Sequence, residues 1–306
     1  MSDTSNGRVV EVINFLATHP TESFRLSEIA ENLGLSHGSA HRVLTTLTQA
    51  GYLLRHPKHK TYTLGIALVM IGQAALAQHR SIDIARREMA RLCEDTRAQC
   101  SAYAIADGEL LLVAKEGAAQ SHTGLGRVGE HRPFVPPLGL THVAWSAQAT
   151  LDTYLAGAPV QAGAKIAAYC RQSLEMVRAR GYSIVANGPH VSALLRALAE
   201  RPAARRDETY WAEIGKLIET LTQPEIQMKN LAETVPDGVF QISAPVFGPG
   251  GNVDLELTLS GFAPGVSVSE LERYTARLCA AAALTSAEAH GQSPSGYPAA
   301  PTVRRA

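Results

Sequence analysis

The spacing of apolar positions changes character along this chain, and the changes divide it. Residues 8–18 place Val9, Val12, Ile13 and Leu16 at helical spacing, and His19-Pro20 ends the run. Residues 26–33 form a second helical pattern, with Ser27 expected as its N-cap and Glu28 and Glu31 near the positive end of its dipole. Gly34 supplies a residue tolerant of positive φ at a tight turn, and Leu35 plugs the corner. Over 36–50, Ala40, Val43, Leu44 and Leu47 recur at i, i+3, i+4 and i+7, one apolar face of a third helix. Two β-prone runs, YLL and TYTL, then flank the turn-like HPKHK and predict a hairpin over 52–64. Residues 65–78 read as a nearly all-apolar helix and 81–96 as an amphipathic one.

Beyond residue 98 strands enter the pattern. Residues 101–106 and 109–115 are predicted strands joined at Asp107-Gly108, a strong hairpin signal. A Gly- and Pro-rich stretch at 118–137 reads as loop with short strands at most. Helices are predicted over 150–155, 165–180, 191–199, 208–221 and 267–290, and strands over 239–247 and 253–260 across the turn GPGGN. The Ser-, Pro-, Gly- and Ala-rich tail at 291–306 is expected to be disordered. The fold class is therefore α+β. A winged helix-turn-helix (1–65) is joined by linker helices (66–97) to an α+β domain (98–290), which carries a helical insert near 190–233.

Charge sharpens this picture. The 306-residue chain balances 28 Lys and Arg against 28 Asp and Glu, which argues against a uniformly basic surface. Yet residues 32–82 contain no Asp or Glu, while holding Arg42, Arg55, Lys58, Lys60 and Arg80 and five histidines. A polyanion is repelled by most of the chain and attracted to this stretch. No apolar run is long enough to span a membrane, the N-terminus lacks a signal-like core, and a cytoplasmic location is expected. The four cysteines form no CxxC pair and read as buried thiols rather than metal ligands or disulfides. No metal and no cofactor is expected.

The outward face of the third helix carries Gly38, Arg42 and Thr45, with His37, Ser39, His41 and Thr46 beside them. None is acidic, and donors near the N-terminal half of a helix suit base edges and phosphates in a major groove. The amides at Ser36, His37 and Gly38 can hold a phosphate. Arg55, Lys58 and Lys60 stand at the hairpin tip, where a wing lies along the duplex backbone. Double-stranded DNA is the expected partner. The histidines His37, His41, His56 and His59 share this face, so affinity is expected to rise as pH falls towards about 6.

In RLSEIAENLGLSHGSAHRVLTTLTQAGYLLRHPKHKTYTLG the chain resembles the IclR family of bacterial regulators, through His41-Arg42, Gly51-Tyr52 and the run Tyr62, Thr63, Leu64, Gly65. ARGYSI near 180–184 and VFQISAPVFGPGGNVDLELTLSG at 239–261 extend the likeness. The resemblance implies a GAF-like effector domain, a homodimer or homotetramer, and regulation of nearby operons; no enzymatic activity is expected. It places an effector site at Leu125, His142, Val143, Gln241, Thr258 and Ser260. By residue type alone, Leu125 and Val143 read as core, and Gln241, Thr258 and Ser260 as solvent-facing strand positions. Arg127 and Arg132 read as solvated loop charges.

Three departures from the family pattern bear on the ligand. Ala144-Trp145 replaces a Gly-Lys pair, VANGP follows Gly181-Tyr182 where acids are usual, and the insert near 190–233 replaces a short connection. Its apolar helices are expected to enlarge or cover the pocket, favouring a small organic effector, apolar or acidic, larger than a two- or three-carbon acid. The apolar run at 66–76 is expected to pack a dimer, which ligand binding shifts between two placements of the winged domains. The rival readings are an enzyme with a winged-helix appendage and a protein-interaction module. No phosphate-binding loop, HExxH or GxSxG supports the first.

Overall fold

The computed structural model describes residues 5–19, 21–117, 126, 128–158, 163–199, 208–232 and 237–299. It divides into two compact units, the first carrying Met1–His79 and the second Arg80–Arg201 with Glu208–Ala306.

The first unit begins with α1 (Ser5–Thr18) and β1 (Phe24–Arg25), followed by α2 (Leu26–Asn32) and α3 (His37–Gln49). Strands β2 (Leu53–Arg55) and β3 (Thr61–Leu64) make the hairpin, and β1 adds to its edge in the order β1-β3-β2. Val12, Leu16, Ile29, Leu44 and Leu47 meet Leu53 and Tyr62 in one small core. The turn between α2 and α3 closes at Gly34 with φ +61°, the left-handed geometry that glycine adopts without steric cost. The N-cap of α2 is Arg25, not Ser27: the Glu28 carboxylate accepts from Arg25 N at 2.6 Å, which starts the helix two residues earlier than a serine cap would. The last helix of this unit is α4 (Ala67–Gln78).

The division falls inside the stretch expected to be linker helices. In the second unit α5 (Arg80–Thr96) is part of the core and packs on the sheet through Ala85, Met89, Leu92 and Cys93. There follow β4 (Gln99–Ala106), β5 (Glu109–Glu116), β6 (His131–Pro133), α6 (Leu140–Val143), α7 (Gln148–Ala156), α8 (Gly163–Arg180), β7 (Ser183–Ala186), α9 (Pro189–Ala199), α10 (Glu208–Thr220), α11 (Gln223–Ile226), β8 (Val239–Phe247), β9 (Val253–Ser260) and α12 (Val268–Glu288). The strands form one antiparallel sheet in the order β6-β5-β4-β9-β8-β7.

The two faces of this sheet differ because β9 alternates strictly. Leu255, Leu257 and Leu259 point to one face, where α5 and α12 cover them with an apolar layer. Full burial of each leucine contributes about 2 kcal/mol. Glu256, Thr258 and Ser260 point to the other face, in register with Tyr103, Ser101 and Gln99 on β4. That polar face is covered by α6 and by a second apolar layer that joins α7 and α8 to the insert through Leu194, Leu198, Ile214 and Ile218.

The tail differs from its expectation. Residues 291–299 lie against the second unit: Gln292 N donates to Gly248 O at 3.0 Å, and the Tyr297 hydroxyl donates to Gly181 O at 3.0 Å. The Tyr297 ring packs on Trp145 and Phe247, with centroids 5.2 and 4.9 Å away. One half-buried aromatic side chain packed in this way orders a segment whose composition alone reads as disorder. Among the described residues no helix is long and apolar enough to cross a membrane.

Candidate DNA interface and ligand cavity

On α3 the residues divide by the helical period. Ala40, Val43, Leu44 and Leu47 are buried, and His37, Gly38, His41, Arg42 and Thr46 are exposed, with Thr45 half-exposed. Ser36 caps the helix, its hydroxyl accepting from Ser39 N at 3.3 Å, which leaves the amides of the first turn at the surface. Ser39 is the exception among the predicted residues. Its side chain is turned inward, 6% exposed, and its Oγ accepts from Arg8 Nη1 at 2.6 Å. It braces the helix rather than serving its outer face, because position 39 sits at the edge of the apolar face, one turn before the buried Val43.

At the hairpin tip Arg55, His56, Lys58, His59 and Lys60 are all exposed. The turn is built by a side chain: His56 Nδ1 accepts from Lys58 N at 3.2 Å and from His59 N at 3.1 Å. Lys60, at φ +56°, closes the turn back into β3. The Arg55 guanidinium lies 5.6 Å from the Tyr62 ring centroid, which keeps it beside the strand.

The second unit holds a cavity of about 100 Å³ on the polar face of its sheet. Its floor is Tyr103, Gln241, Glu256 and Thr258; Thr141 of α6 closes one side; Val191, Leu194 and Leu195 of α9 roof it. Helix α9 thus covers the cavity, and a molecule larger than a small ring would need that helix to move outward. Two carboxylates on its lining are held below the ordinary range. Burial pushes Glu225 up, but amides at Thr222 and Val191, the Thr222 hydroxyl and His190 outweigh it. Burial likewise pushes Glu256 up, and His142, Ser243 and Thr258 outweigh it. His142 Nδ1 is 3.2 Å from Glu256 Oε2, off the line of a well-aligned hydrogen bond, and its Nε2 has no partner among the described residues.

Of the six predicted effector residues, Gln241 and Thr258 line the cavity. His142 stands behind it, reaching it through Glu256. Val143 and Ser260 are buried without lining it, Val143 in the apolar layer under α6 and Ser260 one pleat further along β9. Leu125 lies outside the described residues, as does Arg127. Arg132 is not a solvated loop charge: β6 brings it into the cavity wall, 8% exposed, where its Nε and Nη2 each donate to Glu130 Oε1 at 3.2 Å. Glu256 was missed, although its signal was present. The alternation that faces Thr258 and Ser260 inward faces Glu256 inward too.

Burial also pushes the Cys93 thiol up to about 11 and those of Cys170 and Cys279 up to about 12, so none is poised as a thiolate. Among the described residues no group of three or more His, Cys, Asp or Glu is placed to hold a metal ion.

Residues 7–57 match the IclR helix-turn-helix domain. The HTH-type transcriptional regulator XynR of Escherichia coli is 28% identical over 154 residues, 49% of this chain and 60% of that protein. KdgR of the same organism is 22% identical over 165 residues, 51% of this chain and 62% of that protein. The chain thus aligns with under two thirds of the length of these curated relatives. In overall fold it is similar to an IclR transcriptional regulator from Alicyclobacillus acidocaldarius, with a TM-score of 0.64 at 19% identity, covering 94% of this chain and 100% of that one. It is also similar to an IclR homologue from Microbacterium hydrocarbonoxydans complexed with 4-hydroxybenzoate, with a TM-score of 0.64 at 17% identity over 94% of this chain and 99% of that one.

Proposed function

We infer, from the match of residues 7–57 to the IclR helix-turn-helix domain, that the chain is a ligand-responsive transcription regulator of the IclR type acting in the cytoplasm. It binds operator DNA through α3 and the β2–β3 tip, and it takes a small organic effector in the cavity of its α+β unit. The observation that carries this reading is the outward face of α3. Arg42, His37 and His41 stand exposed on a helix whose other face is buried, within a stretch free of acidic residues. Arg42 is placed to read guanine or a phosphate, and Lys58 and Lys60 to follow the backbone.

Helix α4 supports assembly of two copies. Ile66 is 76% exposed, Met70 72% and Val69 55%, an apolar surface that a single chain leaves in water. A dimer packed there presents two winged units to an operator with inverted half-sites, whose separation the dimer sets. Effector binding then shifts the population between placements of those units. An IclR homologue complexed with 4-hydroxybenzoate gives precedent for a ring-sized ligand in a protein of this fold.

Genomic footprinting tests this reading. The expected result is a small set of discrete sites with inverted symmetry, whose in vitro binding weakens steeply between 50 and 200 mM salt, on the order of a thousandfold for several phosphate contacts. Scattered occupancy, or binding unaffected by salt, would count against it.

A further inference from the structure

We propose that the cavity selects a small organic ligand without negative charge that donates a hydrogen bond to the Glu256 carboxylate, and that it turns simple carboxylates away. This rests on the effector-cavity reading above. Glu256 occupies the middle of the sheet, in register with Tyr103 on β4 and Pro245 on β8, with its side chain on the cavity floor. Thr258 Oγ1 donates to Oε1 at 3.3 Å, and His142 Nδ1 approaches Oε2 at 3.2 Å. A carboxylate offers roughly four acceptor positions, so capacity remains toward the cavity.

The charges around Glu256 decide the sign of the ligand. Among the described residues the ionisable side chains of the lining besides tyrosine are Arg132, Glu225 and Glu256, one cation against two carboxylates. Arg132 is already engaged by Glu130 through two hydrogen bonds and lies 5.7 Å from the Tyr103 ring centroid. Glu225 is committed to the amides that open α9. An anion entering this space meets two carboxylates away from water, where repulsion is strong, with only the imidazoles of His142 and His190 beside them at 3.2 and 2.9 Å. A hydroxyl or ammonium donor instead forms a charge-assisted bond with Glu256, and its apolar body meets Val191, Leu194, Leu195 and Phe240. A volume of about 100 Å³ suits a small ring.

Calorimetry and thermal shift on the full chain with benzyl alcohol, its isomer anisole, benzylamine and benzoate separate donor, charge and bulk. Benzyl alcohol and benzylamine are expected to bind about tenfold or more tighter than anisole and benzoate. Glu256→Gln should erase that preference, and Val191→Phe, which fills the roof, should abolish binding of benzyl alcohol. The proposal is overturned if benzoate matches benzyl alcohol, if anisole does, or if none of the four binds. Circular dichroism reports whether Glu256→Gln folds; if it does not, the ranking of the four probes on the native chain still decides. Should benzoate bind in a manner abolished by Val191→Phe, the cavity stands as the effector site and only its selectivity falls. A ligand that releases the protein from DNA and ignores Val191→Phe removes the effector-cavity reading itself.

Discussion

Arg8 Nη1 donates to Ser39 Oγ over 2.6 Å, so α1 reaches across the winged unit and braces the start of α3. The bond places Ser39 inside and leaves its neighbours outside, which separates two kinds of variant. Ser39→Ala removes an acceptor from a part-buried guanidinium and should destabilise the winged unit by about 1 kcal/mol, weakening DNA binding without changing its dependence on salt. Arg42→Ala should instead lower the slope of log K against log salt by about 1 if it holds a phosphate, or relax sequence preference if it reads a base. Retardation titrations at several salt concentrations distinguish the two; identical slopes with unchanged specificity in Arg42→Ala would remove Arg42 from the interface.

The hairpin tip is built on one side chain. His56 Nδ1 accepts from two backbone amides, Lys58 N and His59 N, and so sets the course of the chain between β2 and β3. His56→Ala removes that acceptor and should weaken DNA binding about fivefold at fixed salt, whereas His56→Asn keeps an acceptor for the turn and should bind nearly as the native chain does. Retardation titrations of the three proteins check this; equal binding by His56→Ala and the native chain would sink the idea.

Glu225 ties α11 to the start of α9, accepting from His190 N at 3.0 Å, Val191 N at 3.1 Å and Thr222 N at 3.0 Å. Its carboxyl is depressed below the ordinary value of 4.5 in the folded state. The stability it contributes is thus fully present above that ordinary value and is lost as pH falls through the lower folded one. Glu225→Gln should cost about 2 kcal/mol at pH 7, and the gap to wild type should close only below about pH 4.5. Denaturant titrations of both proteins from pH 7 to pH 3 check this; a gap that widens on acidification would have the wrong sign. Glu256 is depressed in the same direction, so the variant retains part of the acid slope.

Tyr297 closes the aromatic group formed with Trp145 and Phe247 and bonds to Gly181 O. Tyr297→Ala should destabilise the second unit by about 2–3 kcal/mol and shift Trp145 emission to longer wavelength. A chain ending at Gly291 should behave alike. Unchanged emission and melting in both would mean that the tail contributes nothing to the fold.

Much of the winged unit was legible because its determinants are local. The i, i+3, i+4, i+7 run from Ala40 to Leu47, the positive-φ glycine at Gly34 and the HPKHK tip each act over a few residues, and all three stand where the pattern put them. Ser39 was misplaced because the same period sets only which face a residue is nearest. Whether a side chain at the boundary turns in or out depended on a donor 31 residues away, Arg8.

The chain's own order of residues determined its elements, the acid-free stretch at 32–82, and the alternation that makes β9 two-faced. Each follows from periodicity and charge, which need no long-range partner. Only the tertiary structure decided that β6 carries Arg132 into a wall with Glu130, that α9 roofs the floor of Thr258 and Glu256, and that Tyr297 returns to Trp145. Those relationships join residues far apart in sequence, and their energies arise from burial and from donors meeting acceptors, which come into being when the sheet and its covering helices assemble.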